Sequence, residues 1–227
     1  MDRLTDAISA DHRELQAYFD RLVHSDDPDE QTRFQNQLTW GLARHVVGEE
    51  LVLFPALDRY LGPGEATQDR RQNQTVSSSQ RRPDCPWSLA RTNKRMVLYR
   101  CGVASPPDES NSHQLQIKEK LQVFQDLAAS DPRFISTVTL LMDDLASHAH
   151  VEESKDLVKL EGAITAEESK RLAKSFGRTK WFAPTRAHPN LPASPYPTVS
   201  SLMAAPKDHL VDIFRKWPDP EDLPHLD

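Results

Sequence analysis

A chain of 227 residues is long enough for one fair-sized domain, or for a domain with an appendage. Apolar residues make up 37%, and seventeen prolines against seven glycines point to stiff, extended segments beside any packed core. A formal charge of −6 argues against a nucleic-acid binder, and no apolar run approaches the roughly 20 residues that span a bilayer.

The opening MDRLTDAISADHREL is charged from its second residue and lacks the apolar core of a secretion signal. A soluble, cytoplasmic protein is therefore expected, with neither nucleic acid nor membrane as partner. The only cysteines, Cys85 and Cys101, support neither a disulfide framework nor a cysteine-based zinc site.

The first helical pattern places Ile8, Leu15, Phe19 and Leu22 on one stripe, and its missing beat is His12. A second runs from about Glu30 to Tyr60, with Phe34, Leu38 and Leu42, then His45 and Glu49, then Val52 and Ala56. Pro55 falls inside this pattern and predicts a kink just after the His45/Glu49 turn. Gly62-Pro63-Gly64 ends it.

The segment 76–116 then interrupts the pattern. It carries six Lys/Arg against three Asp/Glu, holds both cysteines and has no clean period, so an irregular insert is expected. Its 41 residues keep the reading frame. Its excision would join RRQNQT to IKEKLQVFQDL in one helical pattern, as a retained intron would.

The third pattern has Ile117, Leu121, Phe124 and Ala128 on one face. The fourth runs from about Pro132 to Glu161, with Phe134, Val138, Leu141 and Leu145, then His148 and Glu152. Ser130-Asp131-Pro132 offers its N-cap and first-turn proline. Four amphipathic helices with mostly short connections predict an all-α, antiparallel up-down four-helix bundle over 1–161.

Residues 162–227 read as a proline-rich C-terminal extension. Thr165 and Glu168 form a capping-box signature for a short helix through about Phe176. A last short helix is expected in PKDHLVDIFRKW, with Leu210, Ile213 and Phe214 as its apolar face. Trp181, Phe182, Phe214 and Trp217 would anchor this arm to the bundle.

A single His-x-x-x-Glu is commonly no more than an i,i+4 pair. Here five ionisable groups, His12, His45, Glu49, His148 and Glu152, take stripe positions on three helices. Buried unpaired, each would cost several kcal/mol, on the order of the transfer penalty for a polar group. Sharing a cation removes that cost, and the i,i+4 spacing lets one helix supply two ligands. Imidazole with carboxylate suits iron, manganese or zinc, and facing carboxylates can bridge two ions. Glu50 and Glu153 are expected to face solvent or to support the ligands, and Glu153 could replace Glu152 after a small rotation. His150 is expected to be exposed.

DH at 11–12, HVVGEELVLFP at 45–55 and HAHVEES at 148–154 resemble the hemerythrin-like family, also called HHE cation-binding domains. The resemblance covers roughly residues 1–161 less the insert. FGRTKWFAPTRAHP at 176–189 resembles the C-terminal extension of fungal members. The resemblance implies a four-helix bundle with a non-haem di-iron centre. His12 would be a terminal ligand, His45 and His148 further nitrogen ligands, and Glu49 and Glu152 bridging or chelating carboxylates. One family histidine, early in the third helix, has no clear counterpart. Asn73 takes its place if the insert is removed, and His113 otherwise.

Three functions are therefore weighed: an iron protein that binds or senses O2 or buffers iron; a di-iron oxidoreductase acting on a small molecule; and an interaction module with a degraded site.

Overall fold

The computed structural model describes residues 3–62, 87–92, 95–100, 112–188 and 202–223, with backbone alone at 87–92, 95–100 and 112–115. Helix α1 spans Leu4–His24 and α2 spans Pro28–Gly48. Asp27 caps α2 by accepting the Asp29 N–H, and Pro28 takes the first position, where a missing N–H costs nothing. The chain passes Gly48 into a π turn, Glu49–Leu53, and on into α3, Phe54–Leu61. There the Phe54 N–H reaches back five residues to the Glu49 carbonyl. Pro55 thereby sits at the start of a new helical segment, which removes the cost of its missing donor. The expected kink takes the form of this π turn.

Gly62 ends α3 at φ 107°, a conformation open to glycine. Within the expected insert, β1 (Trp87–Thr92) and β2 (Arg95–Arg100) form an antiparallel hairpin, with Trp87 opposite Arg100 and Thr92 opposite Arg95. Helix α4 spans Ser112–Gln125, α5 spans Phe134–Val151, and a second π turn, Glu152–Asp156, leads into α6, Leu157–Ala163. Helix α7 covers Ala166–Phe182 and α8 covers Ala205–Asp212. Among the described residues no helix is long and apolar enough to cross a membrane.

Helix α1 packs on α2 and α5, and α4 packs on the same two helices, so the four close into a helical bundle. Its core divides into two apolar clusters. One gathers Leu15, Leu22, Phe34, Leu38, Phe124 and Phe134, among others. The other gathers Leu4, Ile8, Leu53, Leu57, Leu157 and Phe176. Each fully buried large side chain contributes about 1.5–3 kcal/mol relative to exposure. On α1 the clusters meet between Ile8 and Leu15, on α2 between Val46 and Val52, and on α5 beyond Leu145. His12, Glu49, His148 and Glu152 lie in those gaps, and His45 lies at the edge of one, next to Val46.

Several local expectations differ from the structure. Ala128 is exposed, because α4 already ends at Gln125. Asp131 accepts the Arg133 N–H and pairs with its guanidinium, but Pro132 lies in the turn before α5 rather than inside it. The Thr165 hydroxyl accepts the Glu168 N–H as expected, yet α7 runs six residues past Phe176. Of the four aromatics assigned as anchors, Trp181, Phe182 and Phe214 are exposed. Only Trp217 packs inward, edge-on to Trp40. In the last helical stretch Ala205 and Asp208 are buried, whereas Leu210, Ile213 and Phe214 face out.

Candidate metal centre

His12 comes from the middle of α1, His45 from the last turn of α2, and Glu49 from the first residue of its π turn. His148 and Glu152 occupy the matching positions at the end of α5. Both glutamates open π turns, and in both turns the bond closes five residues on, at Phe54 and at Leu157. Each wide turn interrupts a helix at the residue that brings a carboxylate to the centre, a recurrent use of such turns at functional sites.

Ligand atoms of His12, His45, Glu49 and Glu152 all lie within 4.8 Å of one another, and all four residues are buried. The Nε2 atoms of His12 and His45 face each other at 3.1 Å. His45 Nε2 is 2.9 Å from Glu49 Oε1. His148 joins from the other side, its Nε2 3.3 Å from that same oxygen. Glu152 turns Oε2 towards His12 Nε2 at 3.6 Å and Oε1 towards His148 Nε2 at 3.8 Å. All five stripe residues thus converge on one layer.

The outer atoms of the histidines are held as well. His12 donates from Nδ1 to Glu153 Oε1 at 2.7 Å, and His45 donates from Nδ1 to Asp11 Oδ2 at 3.2 Å. Lys180 of α7 donates to both oxygens of Asp11, at 2.5 and 2.7 Å. Glu50 pairs with Lys118 at 2.5 Å, and His150 is exposed. Asn73 lies outside the described residues, as does the side chain of His113.

These contacts shift the protonation of the site. Burial pulls the His45 imidazolium down, but Glu49 and Asp11 outweigh it and raise its pKa to about 10. Burial pushes the Glu49 carboxyl up, yet His45 and His148 hold it well below the ordinary value. For His12, burial and the neighbouring His45 lower the pKa despite Glu153. Asp11 is lowered too: His45 and Lys180 overcome its burial.

The donor set fits a metal cation. Imidazole and carboxylate donor atoms of His12, His45, Glu49 and Glu152 lie within 4.8 Å of one another, a spread that one bound cation could span. Carboxylates on Nδ1 of both His12 and His45 direct Nε2 inward, the arrangement that orients metal-bound imidazoles. Sequence periodicity exposed the five inner residues. Asp11, Glu153 and Lys180 lie off the stripes: Asp11 stands beside His12 in the DH pair, Glu153 beside Glu152, and Lys180 within FGRTKWFAPTRAHP, where no spacing ties it to the centre.

The family model for the hemerythrin HHE cation-binding domain matches residues 3–77, a span that includes His12, His45 and Glu49. A protein of Schizosaccharomyces pombe named as an uncharacterized hemerythrin-like protein is 37% identical over 219 residues, spanning 96% of this chain and 89% of that one. A Nostoc protein named as a DNA nickase is 24% identical over 177 residues, which cover 78% of this chain and 39% of that protein. No solved structure matches the chain.

Proposed function

Because this chain belongs to the hemerythrin-like family, we propose that it holds two non-haem iron ions in the layer formed by His12, His45, Glu49, His148 and Glu152, and that it binds or senses O2 or buffers iron. The observation that carries this reading is the Glu152 carboxylate, which addresses His12 with one oxygen and His148 with the other. A carboxylate so placed is suited to bridge two ions, one on the His12/His45 side and one on the His148 side. Imidazole and carboxylate together suit iron among the common cations. A cytoplasmic setting belongs to the proposal, since two cysteines in 227 residues leave no disulfide framework to protect.

The protein's own residues divide the work. His12, His45 and His148 would offer ring nitrogens to a bound ion, and Glu49 and Glu152 would offer carboxylate oxygens, in a layer closed above and below by apolar clusters. When bound, the iron pair would supply reversible electron exchange with O2. Asp11 and Glu153 fix the ring orientation of the histidines they touch.

Iron analysis and the visible spectrum of the reconstituted chain test the proposal. We expect about two irons per chain and an oxo-bridged charge-transfer band. His45→Ala and Glu152→Ala should lose the metal, whereas His150→Ala, at an exposed position, should keep it. A chain that takes up no iron on reconstitution, or equal loss in all three variants, would refute the assignment.

A further inference from the structure

Helix α7 follows the bundle, yet its second half is built against the metal centre. Phe176 is fully buried and stands edge-on to the His45 ring, with centroids 6.1 Å apart. It fills the space over Gly48, where a side-chain carbon would lie 2.6 Å from the Phe176 ring. One turn further, Lys180 reaches Asp11, and Asp11 reaches the outer nitrogen of His45. The Arg44 side chain donates to the Lys180 carbonyl at 2.7 Å and so fixes the backbone from which Lys180 extends. Side-chain exposure is 21% for Lys180 and 13% for Asp11, so this ion pair is only weakly screened by solvent.

We propose that Lys180 is a positioning residue of the metal centre: through Asp11 it holds the His45 imidazole, and its charge biases a bound redox metal towards the lower oxidation state. The proposal rests on the iron-binding reading above. Two effects act in the same direction. A positive charge near the centre disfavours the more highly charged ion directly. Lys180 also engages both oxygens of Asp11, which weakens the pull of Asp11 on the His45 Nδ1–H and makes the imidazole a poorer donor. Asp11 has the opposite sign on both counts, because its negative charge and its hydrogen bond each favour the higher oxidation state.

The test is a mediated spectroelectrochemical titration of the full iron-loaded chain, in which the electrode delivers one electron for each ferric ion reduced to ferrous. Lys180→Met and Lys180→Gln should both lower the midpoint potential. Lys180→Arg, which keeps the charge and the donors, should restore it to the wild-type value. Asp11→Asn should raise it. A purely structural role for Lys180 predicts lower melting temperatures in these variants with no ordered change of potential. Lys180→Gln keeps a hydrogen-bond donor and guards against loss of fold in Lys180→Met. Unchanged potentials in both neutral variants, a shift in only one of them, or shifts of one sign for Lys180→Met and Asp11→Asn overturn the proposal. A wild-type chain that takes up no iron sinks the metal reading and this proposal together, whereas a loaded wild type with an unresponsive Lys180 sinks this proposal alone.

Discussion

His45 lies between two carboxylates, Glu49 on its inner nitrogen and Asp11 on its outer one, and its imidazolium persists to a pKa of about 10. The consequence for the apoprotein has a definite sign. A raised histidine pKa contributes stability in full below the ordinary value of 6.5 and loses it as the pH rises through about 10. Glu49, whose pKa is depressed, contributes above its ordinary 4.5 and loses that contribution as the pH falls through its lowered value. A metal ion needs His45 Nε2 without its proton, so binding near neutral pH must displace it. We expect about one proton released from His45 for each centre filled, and an apparent affinity that climbs about tenfold per pH unit through the neutral range. Calorimetric titrations in buffers of different ionisation enthalpy measure that proton. An affinity flat between about pH 7 and 9 would contradict the ion pair. The inner five residues were legible because each interrupts an apolar stripe. Glu153, expected either to face solvent or to support the ligands, supports His12, whereas the role of Asp11 was not legible, because a residue that supports a ligand from outside looks like any polar surface position until the helices are placed together.

At the scale of elements, the two π turns are the least legible feature. Pro55 gives the first a cause that can be read from the chain, and the kink was expected where the turn lies. The second turn, EESKD, contains no proline or glycine, and its signal emerges only from burial. Leu157, five residues after Glu152, is fully buried, while Lys155 and Lys159 are exposed. Helix α7 also reaches further than the sequence pattern predicts. Its polar second half lacks a clean apolar period: Phe176 is its one fully buried residue there, packed over Gly48 in the second apolar cluster, and Lys180 holds on through Asp11. The Gly48–Phe176 contact yields a stability prediction. Gly48→Ala gains up to about 1 kcal/mol in helix propensity but forces a carbon into the Phe176 ring, and overpacking of this kind costs about 1–3 kcal/mol. A net loss is expected by thermal unfolding, with partial recovery in Gly48→Ala/Phe176→Leu. A Gly48→Ala variant as stable as wild type would show that α7 does not press on the centre.

For the whole molecule, the polar layer sits between two apolar clusters, and every described side chain in the three comes from outside 76–116. That arrangement bears on the insert. Removing 76–116 shortens the connection between Gly62 and Ile117 from 54 residues to 13 and replaces the first turn of α4 with RQNQT. Ile117, Leu121 and Phe124, which α4 contributes to the core, all remain. Loop-closure entropy favours the shorter connection by about 1 kcal/mol if no strain opposes it. We therefore expect the deletion variant to unfold cooperatively at a temperature equal to or slightly above that of the full chain, with unchanged iron capacity. Messages that lack the segment should then be detectable by sequencing across the junction, as a retained intron requires. A variant that loses cooperative unfolding or iron binding would instead make the β1–β2 hairpin and its flanks a working part of the fold, because the shortened chain still carries every apolar contact and every ligand the bundle is seen to use.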